Sequence, residues 1–313
     1  MTPAGLGTAR GLREIVAAEA ESDTFPAAKD FGTYLQQHYG ATVAGIVFYG
    51  SCLRANTDEG LLLDFYVLVD SYARALRHVT SAVFARLLPP NVYYHEIAFE
   101  QRTVRAKVAV ISVGQFLHGL GPETFTSTIW ARFAQPALIL YARNAEIRRR
   151  LIDGLAAAVH TTMTRTSPLL RGDFTASDLW ITAFGATYAA ELRPEGAAKS
   201  LELVDRDLAR YEAITTAVLG PPDGHGRYVQ HATTARHKGA KRAWFFRRGA
   251  GKTLNALRLI KAAFTFKGGL DYAVWKIERH SGVKITLSDA ERRRPLITGA
   301  RLFFKTVQRG GIR

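Results

Sequence analysis

The sequence predicts an α+β fold: a small mixed sheet with flanking helices, then a helical domain, then a basic, aromatic-rich C-terminal helical segment. Three observations carry that prediction. Four apolar, β-rich runs stand before residue 113, at Ile46–Tyr49, Leu61–Val69, Val92–Phe99 and Thr103–Ser112, each bounded by turn residues. From Asn144 onward the apolar residues recur at helical spacing instead. The tail from Arg227 interleaves cations with aromatic rings. These shifts divide the chain into 1–142, 143–222 and 223–313.

Taken in order, residues 8–40 read as helix, with Leu12, Ile15, Val16 and Ala20 on one face and Phe31, Tyr34 and Leu35 repeating it. The first two strands follow. Residues 71–88 predict a helix stopped by Pro89-Pro90. The next two strands turn at Glu100-Gln101, and Arg105 and Lys107 on the second can face one side of the sheet. Residues 113–140 read as irregular to helical. Helices are expected from Asn144 to a break at Pro168, over Asp178–Leu192, and over Ala197–Leu219. Gly220–Gly226, rich in Pro and Gly, is a linker.

Composition narrows the function classes. At 313 residues and 47% apolar content the chain can bury a large core. Lys and Arg number 42 against 27 Asp and Glu, a formal net charge of +15, so anionic partners are favoured. The single cysteine, Cys52, excludes an internal disulfide and a cysteine-rich zinc site, and no histidine motif adjoins it to make a nucleophile. His95, His231, His237 and His280 lack metal-ligand spacing. No signal peptide is visible and no apolar run is long enough for a bilayer. The expected place is the cytoplasm, peripherally at the inner membrane.

The chemistry concentrates between Gly45 and Asp70. A strand ends at Gly50-Ser51, where a glycine lets the backbone approach a phosphate and the Ser51 hydroxyl and nearby N–H groups can hold its oxygens. On the following strand Asp64 interrupts an apolar run, a costly position for an acid without a purpose, and it can hold Mg²⁺ against the same phosphates. Asp70 lies about 20 Å further along an extended strand, too far to share the ion. Gly-Ser, a spacer and a strand acid resemble the layout of the nucleotidyltransferase superfamily, except that Tyr66 stands where the second acid is usual. Gly249-Ala250-Gly251-Lys252-Thr253 imitates the end of a P-loop, but Phe246 occupies the place of its first glycine and no β-run precedes it.

Several segments together resemble one branch of that superfamily, the mitochondrial-type phosphatidate cytidylyltransferases, also called the translocator assembly and maintenance protein family. FYGS with LLLDFYVLVDS resembles its signature, which likewise has one acid. NVYYHE and AKVAVIS are similar to its Tyr-Tyr and lysine-bearing strands, WARFAQP to a segment with an arginine and a proline, and GATYAAELRPEGAAKSLELV to its acid-x-Arg loop and following lysine. IKAAFTFKGGLDYAVWKIERHSG is similar to its basic C-terminal segment. The resemblance implies a polymerase-β-like palm, a winged-helix-like helical domain, and CMP transfer from CTP to phosphatidic acid with release of pyrophosphate. It implies catalytic roles for Asp64, Lys107 and Glu191, where the family has Asp. Gly50, Ser51, Arg132, Arg193 and Lys199 would bind nucleotide, with Mg²⁺ on Asp64.

The acceptor would already be an oxyanion, so positioning and charge neutralisation suffice. The basic, aromatic tail suits an anionic membrane surface, and nucleic acid is not expected as a partner. Two alternatives stand beside this: a nucleotidyltransferase acting on RNA, protein or a small molecule, and a non-catalytic relative that binds anionic surfaces.

Overall fold

A computed structural model describes residues 11–76, 79–191, 197–230, 232–265 and 288. Its elements run α1 (Leu12–Ala20), α2 (Pro26–Tyr39), β1 (Val43–Tyr49), α3 (Ser51–Ala55), β2 (Leu63–Val69), α4 (Tyr72–Ala75) and α5 (Val79–Leu87). There follow β3 (Asn91–Phe99), β4 (Arg102–Ser112), α6 (Val113–Leu120), α7 (Trp130–Phe133) and β5 (Ala137–Ala142). The remainder is helical: α8 (Ala145–Thr166), α9 (Ala176–Ala190), α10 (Ala197–Arg206), α11 (Leu208–Leu219) and α12 (Thr234–Thr265).

The chain forms two compact units, neither of them one continuous run. The first takes Met1–Asp23 and Val113–Ala256, the second Thr24–Ser112 and Leu257–Arg313.

In the second unit the strands stand in the order β3-β4-β2-β1. β1 is antiparallel to β2, β2 parallel to β4, and β4 antiparallel to β3, so the sheet is mixed as expected. The parallel pair requires a crossover, which α4, α5 and β3 supply. Every residue of β1 is buried, as a central apolar strand should be. One face of the sheet carries Phe48 and Phe65, and α2 lays Phe31 flat on Phe65 with ring centroids 5.4 Å apart. All three rings are fully buried, each contributing about 1.5–3 kcal/mol on transfer from water. Pro26 starts α2, where its missing N–H costs nothing.

In the first unit, Asn144 caps α8 by accepting the Ile147 N–H at 2.9 Å, and Thr175 with Asp178 forms a capping box on α9. Trp180 donates its indole N–H to Thr215 at 3.0 Å and packs on Tyr211, tying α9 to α11. Glu19 of α1 holds Arg210 of α11 at 2.7 Å.

Three segments depart from the sequence reading. Ala137–Ala142 is a strand within a stretch expected to be irregular or helical. Residues 71–88 break at Leu76, whose extended backbone ends α4. The helix expected over 197–219 is two, parted at Asp207. Just past the Gly220–Gly226 linker, Tyr228 forms an antiparallel bridge with Phe174.

Candidate functional site

At the end of β1 the chain turns through Gly50 into α3 with φ +97° and ψ −160°, a conformation open to glycine alone at low cost. A second constraint selects glycine there as well. A Cβ on residue 50 would lie 2.8 Å from Asp64 Oδ2, so the carboxylate rests directly against the turn. Sheet register explains the approach, because Tyr49 pairs with Asp64 across β1 and β2.

The same row continues across the sheet. Asp64 pairs with Lys107 on β4, and Lys107 with Tyr94 on β3. Cross-strand partners point to one face, each about 4.8 Å from the next. Tyr49, Asp64, Lys107 and Tyr94 therefore form one line beside the Gly50-Ser51 turn. Asp64 and Lys107 are both half-buried. One step along β4 on the same face, Arg105 meets Glu96 at 3.0 Å, and the Tyr94 hydroxyl donates to Glu96 at 2.6 Å. The structure thus brings together Gly50, Ser51, Asp64 and Lys107, and puts Arg105 on the Lys107 face as the spacing predicts.

Cys52, one residue past the turn, is fully buried and its thiol donates to Leu62 O at 3.2 Å. Burial, then the nearby Asp64 and Asp58 carboxylates, push the thiol up to about 12, which rules out a thiolate nucleophile at neutral pH. Asp58, in the spacer between the turn and β2, is buried and clamped by both terminal nitrogens of Arg102. It shapes the loop. Among the described residues no group of three or more His, Cys, Asp or Glu stands ready for a metal. Asp70 follows β2, is exposed, and donates its N–H to Thr42 O at 3.0 Å.

The other expected residues belong to the first unit. Arg132 of α7 and Glu191, which ends α9, meet at 4.0 Å with side chains only 18% and 11% exposed. Lys199 of α10 forms a surface ion pair with Glu202 one turn on, at 2.9 Å. Arg193 lies outside the described residues, as do most of the basic C-terminal segment after Thr265, His231 and His280.

The decoys resolve simply. Residues 249–253 lie inside α12, so they form no phosphate loop, and a Cβ on Gly251 would collide with Ala190 O. That glycine serves helix packing. His95 sits on the opposite sheet face from Lys107, bonded by Tyr34 and Tyr39 at 3.2 Å each. His237 bonds Pro168 O at 2.8 Å. Sequence reasoning missed Tyr49 and Tyr94 as neighbours of Asp64 and Lys107, because their place in the row depends on strand order. Among the described residues no helix is long and apolar enough to cross a membrane.

One of the solved structures that the chain is similar to is a nucleotidyltransferase-like protein from Exiguobacterium sibiricum, 10% identical, covering 90% of this chain and 91% of that one with a TM-score of 0.26. At that score the likeness carries no argument about fold or function. No family model and no curated protein matches the chain, so its likeness to the phosphatidate cytidylyltransferases stays a resemblance of motifs.

Proposed function

We propose that this chain is a nucleotidyltransferase that seats a nucleoside triphosphate at the Gly50-Ser51 turn. The observation that carries the reading is the Asp64 carboxylate lying against a glycine whose missing side chain leaves the turn open. A strand-end turn with bare backbone, an acid beside it and a cation next to that acid is a set of groups suited to a triphosphate and its counter-ion. Mg²⁺ fits this donor set, since that ion is commonly held by one or two carboxylates with phosphate oxygens and water completing its shell. When bound it would offset phosphate charge; Asp64 would hold it.

The finer reading takes CTP as donor and phosphatidic acid as acceptor, with the polymerase-β-like palm and winged-helix arrangement that the motifs imply. A phosphate oxygen of the acceptor bonds to the α-phosphorus of CTP as the bond to the β-phosphate's bridging oxygen breaks, giving CDP-diacylglycerol and pyrophosphate. Ser51 orients the triphosphate and Lys107 balances its charge. The acceptor needs no deprotonation at neutral pH, which suits a row in which Asp64 stands next to a lysine and no further base is required. The resemblance of motifs alone would give Arg132, Glu191, Arg193 and Lys199 charge-balancing and orienting roles.

A second reading draws on the Asp64–Lys107 register, which also suits a structural ion pair in a non-catalytic relative. Labelled CTP and ATP, supplied with Mg²⁺ and either phosphatidic acid liposomes or RNA, separate these. Labelled CDP-diacylglycerol formed by the wild type and not by Asp64→Asn supports the proposal. Transfer to RNA or without lipid overturns the acceptor, and no transfer to any acceptor favours the non-catalytic reading.

A further inference from the structure

Helix α12 is turned inside out over four residues. Trp244 and Arg247 face inward at 3% and 5% exposure, while Phe245 and Phe246 face outward at 67% and 59%. Single exposed apolar residues are ordinary; a buried arginine beside two exposed phenylalanines inverts what water selects. The helix cannot roll to correct this. Trp244 donates its indole N–H to Arg165 O at 2.9 Å, and Arg247 donates to Phe125 O at 2.7 Å. The Arg247 guanidinium is also packed between rings, 4.7 Å from Trp244 and 4.9 Å from Phe125. These contacts all lie within the first unit and fix which face of the helix meets solvent.

That face is strongly cationic. Lys238, Lys241, Arg242, Arg248 and Lys252 are exposed, and no acid occurs anywhere between Thr234 and Thr265. Lys238, Lys241, Arg242, Arg248 and Lys252 fall on one stripe with Phe245 at three- and four-residue spacing. Lys238 and Arg242, and Arg248 and Lys252, are like charges one turn apart, each pair costing a few tenths of a kcal/mol. An anionic partner removes that cost.

We infer that the outward face of α12, centred on Phe245 and Phe246, docks on an anionic lipid bilayer. Apolar rings enter the headgroup boundary while the surrounding cations meet lipid phosphates, the two contributions that bind an interfacial helix. Single-stranded nucleic acid fits less well. The two rings stand nearly perpendicular, 78° between planes and 5.6 Å apart, so they offer no common platform for stacked bases. A bilayer needs only their volume at the right depth.

The test uses the full chain without nucleotide, sedimented with phosphatidylcholine vesicles alone or containing phosphatidylglycerol. Omitting phosphatidic acid and CTP lets this inference fail without touching the reading of the Asp64 turn. Wild type should pellet with the anionic vesicles, and less so as salt rises. The double variant Phe245→Ala, Phe246→Ala should partition at least tenfold more weakly. Phe245→Leu with Phe246→Leu keeps the apolar volume and should bind as wild type, which separates lost docking from lost folding. Lys241→Gln with Arg242→Gln should lose the preference for anionic lipid. Wild type that ignores the anionic vesicles overturns the inference. So does an alanine variant that binds unchanged, or one whose defect is confined to RNA binding or to self-association.

Discussion

Two adjacent rows cross the same sheet, one residue apart on every strand, and they do opposite things. Phe48, Phe65, Val108 and Tyr93 form one, facing α2. Tyr49, Asp64, Lys107 and Tyr94 form the other. The first row sheds water and welcomes close-packed rings. The second keeps a carboxylate and an ammonium half-exposed beside a glycine that any side chain would obstruct. Because strand side chains alternate, stability and the proposed chemistry share a backbone with little sharing of side chains. The contrast predicts that changes in one row move folding, and changes in the other move catalysis.

The largest effect should come from Phe65→Ala, which empties a fully buried ring site and should cost about 3–5 kcal/mol in denaturant unfolding. Any activity left per folded molecule should be near wild type. Asp64→Asn should do the reverse, lowering nucleotidyl transfer by about 10²–10³-fold with an unfolding midpoint close to wild type. A stability loss as large as that of Phe65→Ala would erase the distinction.

The α2-facing side also carries a pH signature. Burial, then the neighbouring His38, lowers the His95 pKa from 6.5 to about 4, so the folded protein holds this ring neutral. As pH falls through 6.5 the unfolded chain takes up the proton first, and stability declines until about 4, where the folded form follows. At about 1.4 kcal/mol per unit, the shift amounts to about 3 kcal/mol. His95→Gln should be weaker at pH 7 yet show a flatter stability profile between pH 7 and 4.5.

Gly50→Ala tests the border between the rows. Its φ of +97° and the contact with Asp64 should cost about 1–3 kcal/mol, and activity should fall with it. Smallest is Lys107→Gln, expected to lower transfer about tenfold and to leave thermal unfolding within a few degrees.

Much of this was legible in the sequence, for a physical reason. Val43–Tyr49 and Leu63–Val69 are buried on both faces, so their apolar runs show plainly, and an acid within one stands out. Gly50-Ser51 announced the turn. The Asp64–Lys107 pairing was not legible, because β4 comes beside β2 only after the chain has crossed over and returned. Ala137–Ala142 was missed since six apolar residues after Pro136 show no period that separates strand from buried helix. Arg132 and Glu191 are 59 residues apart in sequence, and only the packed helices reveal that they meet. Arg247 reads from sequence as one more solvated cation; only the rings around it show it is buried.

The contact between Gly251 and Ala190 has a mechanical side. With no side chain interposed, α12 bears on the main chain of α9 at its final residue, immediately before Glu191. Any side chain at position 251 would therefore have to wedge the two helices apart, and would shift with them the residue whose carboxylate faces Arg132.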